Sequence, residues 1–118
     1  YKLEEVAVAQ PLIAMGSIFK QEGKYKWAQI CLDEALSFLE GVKAEIDPNI
    51  YVNLATIQIK QSKYTTARAK LEKAVEQMRE DKGSFREEDI QDIQELIEAI
   101  KVKERNSLFG KFQLFNKS

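Results

Sequence analysis

A chain of 118 residues, 44% apolar and 31% charged with five Gly and two Pro, is one globular domain's worth and is neither disordered, collagen-like nor a bare coiled coil. It has no histidine, and Cys31 is its one cysteine; the commonest general base, the commonest transition-metal ligand and any internal disulfide are thereby removed, and a reducing compartment such as the cytoplasm is the easier fit. The net charge of −1 hides an asymmetry: residues 1–99 carry 13 Lys and Arg against 18 Asp and Glu, whereas residues 100–118 carry five against one, so no basic stripe suited to nucleic acid runs along the body.

Residues 1–10, with Leu3, Val6 and Val8 and few breakers, read as a helix that Pro11 bends or restarts. Glu4 and Glu5 do not suit a signal peptide, and no run approaches the roughly 18 apolar residues of a membrane span. A chain that opens at Tyr1 rather than Met is compatible with a piece of something longer, in which case targeting segments lie outside it. From Gln10 to Gln21 a second helix is expected with Leu12, Met15, Ile18 and Phe19 inward. Glu22-Gly23-Lys24 supplies the turn, and a third helix runs from Tyr25 to about Glu40 with Ala28, Leu32, Ala35, Leu36 and Leu39 along one face.

Gly41 is expected to end that helix, and Asp47-Pro48 opens the next, Asp capping free amides and Pro in the first helical position. Ile50, Tyr51, Leu54 and Ile57 build its apolar side. A turn at Gln61-Ser62-Lys63 leads into a helix from Tyr64 to Arg79, and Glu80 to Gly83 forms a polar break. Ser84 three residues before Glu87 has the capping-box pattern, and Ile90, Ile93, Ile97 and Ile100 then recur at helical spacing with Leu96 on the flank, a cap over the end of the chain at 84–106. The basic, aromatic segment 107–118 follows, where Gly110 argues against an unbroken helix.

The chain nearly repeats itself at a spacing of 39 residues. Gly16-Ser17-Ile18 falls on Ala55-Thr56-Ile57, Lys24-Tyr25 on Lys63-Tyr64, Ala28 on Ala67, Leu32 on Leu71 and Ala35 on Ala74. Self-similarity at such a period marks a stacked repeat protein, whose units cannot bury their apolar faces alone. The order of these residues, with Met15, Phe19, Tyr51 and Leu54, resembles the tetratricopeptide repeat family over roughly residues 9–80. The resemblance implies an all-α, right-handed solenoid of two helix hairpins, 10–41 and 47–80, with an N-terminal helix before them and capping helices after. The usual unit is about 34 residues, so a 39-residue unit implies a longer second helix or linker and irregular stacking.

In that family the ligand lies on the leading helix of each hairpin. The matching residues are Ile13, Ser17, Lys20 and Gln21 in the first unit and Asn49, Val52, Asn53, Thr56 and Lys60 in the second. A mixed polar and apolar face with two positive charges suits an extended peptide or a partner helix. The resemblance thus implies a non-catalytic adaptor, assembly factor or co-chaperone, with a protein or peptide partner and no cofactor. Family members that grip the acidic end of a heat-shock chaperone use a clamp of Lys, Asn and Arg; only Asn53 falls in place, while Ile13 and Ser17 stand where the first pair belongs, so that clamp is not expected.

The segment from Lys101 onward resembles the closing helix of repeat-containing prolyl isomerases, which leaves a regulatory domain of a larger enzyme as the rival function. Its contact candidates are Leu108, Phe109, Lys111, Phe112 and Phe115. Packing back on the repeats, possession of a membrane-surface or calmodulin-type face, and docking to a partner are its three readings, the first favoured because aromatics at helical spacing are more often core. No catalytic constellation and no metal-ligating set is legible. Glu87-Glu88-Asp89 reads as a solvated helix N-terminus.

Overall fold

The computed structural model describes the backbone of residues 3–81 and 83–116, and the side chains of 4, 6–81 and 83–108. These residues are all-helical: α1 (Leu3–Ala7), α2 (Ala9–Gln21), α3 (Tyr25–Gly41), α4 (Pro48–Lys60), α5 (Tyr64–Glu80) and α6 (Glu87–Asn116). Each of α2–α3 and α4–α5 forms a hairpin, α4 lies on α3, and α6 lies on α5.

The 39-residue period is set into the element boundaries themselves. α2, α4 and α6 begin at residues 9, 48 and 87, and α3 and α5 span 25–41 and 64–80. The turns repeat as well. The Lys24 amide donates to the Phe19 carbonyl at 2.9 Å and the Lys63 amide to the Gln58 carbonyl at 2.8 Å, with Gly23 and Ser62 both in the left-handed region at φ 76° and 60°. That conformation is free for glycine and costly for serine, because a Cβ crowds the neighbouring carbonyl.

Small and large apolar residues at equivalent positions set how closely the helices approach. Ala28 and Ala67, Leu32 and Leu71, Ala35 and Ala74 are all fully buried. Gly16 lets α2 close on α3: a Cβ there would stand 2.7 Å from Leu32 Cγ and 3.4 Å from the Ala28 carbonyl oxygen. One cluster joins α2, α3 and α4 through residues such as Leu32, Leu36, Leu39, Ile50, Leu54 and Ile57, and a second joins α4, α5 and α6 through Ala55, Ala67, Leu71, Ile97 and Ile100. Burial, and then the nearby Glu40 and Glu76 carboxylates, push the Tyr51 phenol above its usual range.

Several expectations are corrected. Met15 and Ile18, read as inward, are exposed, because none of the described helices covers that side of α2. Helix α3 does finish at Gly41, but the left-handed residue that stops it is Lys43, φ 56°. Ser84 does not cap α6: its hydroxyl donates to Asp81 Oδ1 at 2.9 Å, and the Arg86 carbonyl accepts the first intrahelical bonds, from the Asp89 and Ile90 amides. Helix α6 begins 39 residues after α4, as α4 begins 39 residues after α2, and it lies on α5. Residues 100–102, one period after the Gln61-Ser62-Lys63 turn, are Ile-Lys-Val with no Gly or Ser, and the helix runs on past residue 106 and through Gly110 to Asn116. At about 1.5 Å per residue such a helix is about 45 Å long, and the molecule is elongated to match, 58 × 32 × 25 Å. Polar Lys82 of the expected break lies outside the described residues.

Candidate functional site

The Asp47-Pro48 start of α4 works as its sequence predicts: Asp47 Oδ1 accepts from the Asn49 amide at 2.9 Å, and Pro48 fills the first helical position, where its missing donor is not needed. Helices α2 and α4 touch on one side. Across this contact Lys20 Nζ donates to Asn53 Oδ1 at 2.8 Å. That bond leaves the Asn53 amide nitrogen as a donor and holds the Lys20 charge at this surface.

Beside this bridge Val6, Gln10, Ile13, Leu39, Glu45, Asp47, Asn49, Ile50 and Asn53 line a cleft of about 150 Å³. The space suits one side chain rather than a small molecule. Its floor is apolar, from Val6, Ile13, Leu39 and Ile50, and its rim carries the amides of Gln10, Asn49 and Asn53 and the carboxylates of Glu45 and Asp47. Gln10 and Asn49 hold the same repeat position, so each leading helix places an amide at the rim.

Three of the nine residues drawn from the leading helices, Ile13, Asn49 and Asn53, therefore meet in one cleft, and Lys20 reaches it through its bond to Asn53. The others do not. Ser17 is half-buried beyond it. Val52 packs into both core clusters, and the Thr56 hydroxyl is turned onto its own helix, donating to the Val52 carbonyl at 2.9 Å. Gln21 and Lys60 are exposed at the far ends of their helices. Of the two positive charges expected on this face, Lys20 stands beside the cleft and Lys60 away from it, and the carboxylates of Glu45 and Asp47 join the lining. Leading-helix register missed Val6, Leu39, Glu45 and Asp47, which come from α1, from the end of α3 and from the linker; the only sequence signal for Glu45 and Asp47 was their place just before the Pro48 boundary.

The second candidate surface runs along α6. Glu104 accepts from Arg68 Nε and, at 3.2 Å, from Arg68 Nη2; Thr65 Oγ1 donates to it at 3.1 Å, and Arg68 Nη1 donates to Glu72 at 3.0 Å. The Arg68 guanidinium holds the Glu104 carboxyl below the usual carboxylate range, and Glu104 in turn pushes Arg68 further up. Lys103 Nζ lies 5.9 Å from the centre of the Tyr64 ring. These contacts pin α6 to the start of α5. Beyond them Leu108 borders an open groove with Arg68, Lys101, Glu104 and Arg105 and is 67% exposed, so it does not pack back on the hairpins. The side chains of Phe109, Lys111, Phe112 and Phe115 lie outside the described residues.

Among the described residues no group of three or more His, Cys, Asp or Glu side chains is placed to hold a metal ion, and no helix is long and apolar enough to cross a membrane. Comparison with protein-family models, with curated proteins and with solved structures finds no match to this chain.

Proposed function

We propose that the chain is a tetratricopeptide-like stack of hairpins whose α2–α4 face recognises an extended segment or a helix of a protein partner, without catalysis and without a cofactor. Equal 39-residue spacing of the leading helices supports the repeat reading. The observation that carries the binding reading is the cleft between α2 and α4, apolar at its floor, rimmed by Asn49 and Asn53, and braced by the Lys20–Asn53 bond. Amide side chains at such a rim bond a peptide backbone, and an apolar floor takes one of its side chains. Because Glu45 and Asp47 stand at the same rim, the preferred ligand carries Lys or Arg next to its apolar anchor. In this role the chain serves as an adaptor, assembly factor or co-chaperone.

Selection of displayed peptides on the intact chain tests this. The expected peptides share an aliphatic residue flanked by a basic one. Glu45→Lys and Asn49→Ala each weaken their binding several-fold, as expected for about 1 kcal/mol from an interface contact of this kind. Peptides indifferent to both variants but lost on truncation after Arg105 would move the site to α6 and the tail.

A further inference from the structure

The two hairpins, though in register, bury different faces. Leu54 and Ile57 of α4 are fully buried in the cluster that joins α4 to α3. One period earlier, Met15 and Ile18 of α2 are 46% and 54% exposed. Lys20 and Ile13 turn to α4, so Met15 and Ile18 look away from it. Gly16 packs on Leu32 and the Ala28 carbonyl, so the first turns of α3 lie level with the end of α2, and there Trp27 and Ile30 are 57% and 49% exposed. Large apolar side chains therefore gather at one end of the molecule rather than scattering singly.

Charge is missing from the same face. The exposed positions of α2 are Gln10, Pro11, Ala14, Met15, Ile18 and Gln21, in a chain that is 31% charged. Along α3 the exposed charges then change sign, with Lys26 near Trp27 and Asp33, Glu34 and Glu40 further on, while Lys24, just before the helix, is paired with Glu22 at 3.2 Å.

We propose that this face pairs with the same face of a second copy across a two-fold axis, α2 lying antiparallel to its equivalent. The uncharged centre then meets itself, so no charge is desolvated. Lys26 of each copy then meets the partner's Glu34. Trp, Met and Ile at the centre with charges at the edge is the composition of a self-complementary interface.

Sedimentation equilibrium of the intact chain over a dilution series, read together with the emission of Trp27, the sole tryptophan, tests this. A dimer is expected whose Trp27 emission shifts to the red as dilution separates the copies. Met15→Asp with Ile18→Asp gives a monomer at every concentration with an unchanged circular dichroism spectrum, since both positions are exposed in the single chain. Glu34→Lys raises the dissociation constant about three- to ten-fold, and adding Lys26→Glu restores it. A chain monomeric throughout the series overturns the proposal. So does a dimer that the double Asp variant leaves intact, or a Glu34→Lys defect that Lys26→Glu does not repair.

Discussion

Two residues at equivalent places show how much one side chain decides. At the hairpin turns Gly23 and Ser62 share the left-handed conformation, and only the first carries no steric cost for it. Ser62→Gly is therefore expected to raise stability by about 1 kcal/mol, read as a higher midpoint in urea with an unchanged slope; a lower midpoint would mean that Ser62 has compensating contacts. Gly16 has the opposite sign. In an exposed helix Gly→Ala gains about 1 kcal/mol, but at Gly16 the new methyl meets Leu32 at 2.7 Å, so Gly16→Ala is expected to cost about 1–3 kcal/mol in the same assay. Sequence comparison exposes both positions, since Gly23 aligns with Ser62 and Gly16 with Ala55. It does not tell which of them is crowded, because crowding depends on how closely the neighbouring helix approaches.

The individual helices were largely legible, and their ends were so wherever a local device writes them. Asp47-Pro48 at α4, and the turn residues after α2 and α4, act within three or four positions of the boundary they set. Helix α6 was harder at both ends. At its start the Ser84 hydroxyl bonds the Asp81 carboxylate rather than a free α6 amide. Its continuation past residue 100 rests in part on a contact made across 36 residues, between Arg68 and Glu104. That contact has a pH signature. Since Arg68 lowers the Glu104 pKa in the folded chain, the pair stabilises the docked helix fully above the ordinary carboxylate range, and its contribution fades as pH falls through the lowered folded value. The protection of α6 amides relative to their intrinsic exchange at each pH is thus expected to fall on acidification in the native chain, while Glu104→Gln lowers it already at neutral pH and removes that part of the acid dependence. Equal exchange in the two proteins at neutral pH would assign the docking to Ile97 and Ile100 alone.

At the scale of the molecule, apolar periodicity reveals which face of a helix is greasy but not whether anything covers it. Met15 and Leu54 belong to the same repeat position and read alike in sequence, yet one is half exposed and the other fully buried. The candidate cleft was half legible for the same reason: register finds Ile13, Asn49 and Asn53 on the leading helices, whereas Leu39 and Glu45 come from a helix end and a linker that only packing brings there. Leu54→Ala is expected to cost about 2–5 kcal/mol at any protein concentration, because it opens a cavity between α3 and α4. Met15→Ala should cost under about 0.5 kcal/mol in dilute monomer, as exposed substitutions do. Its effect should then grow with concentration if a second copy covers it, because association adds stability by mass action only to the chain that can associate. Denaturant titrations of the three proteins at low and high concentration separate the cases. A concentration-independent loss at Met15 comparable to that at Leu54 would mean that α2 is covered within the single chain, and the end of the stack would lie elsewhere.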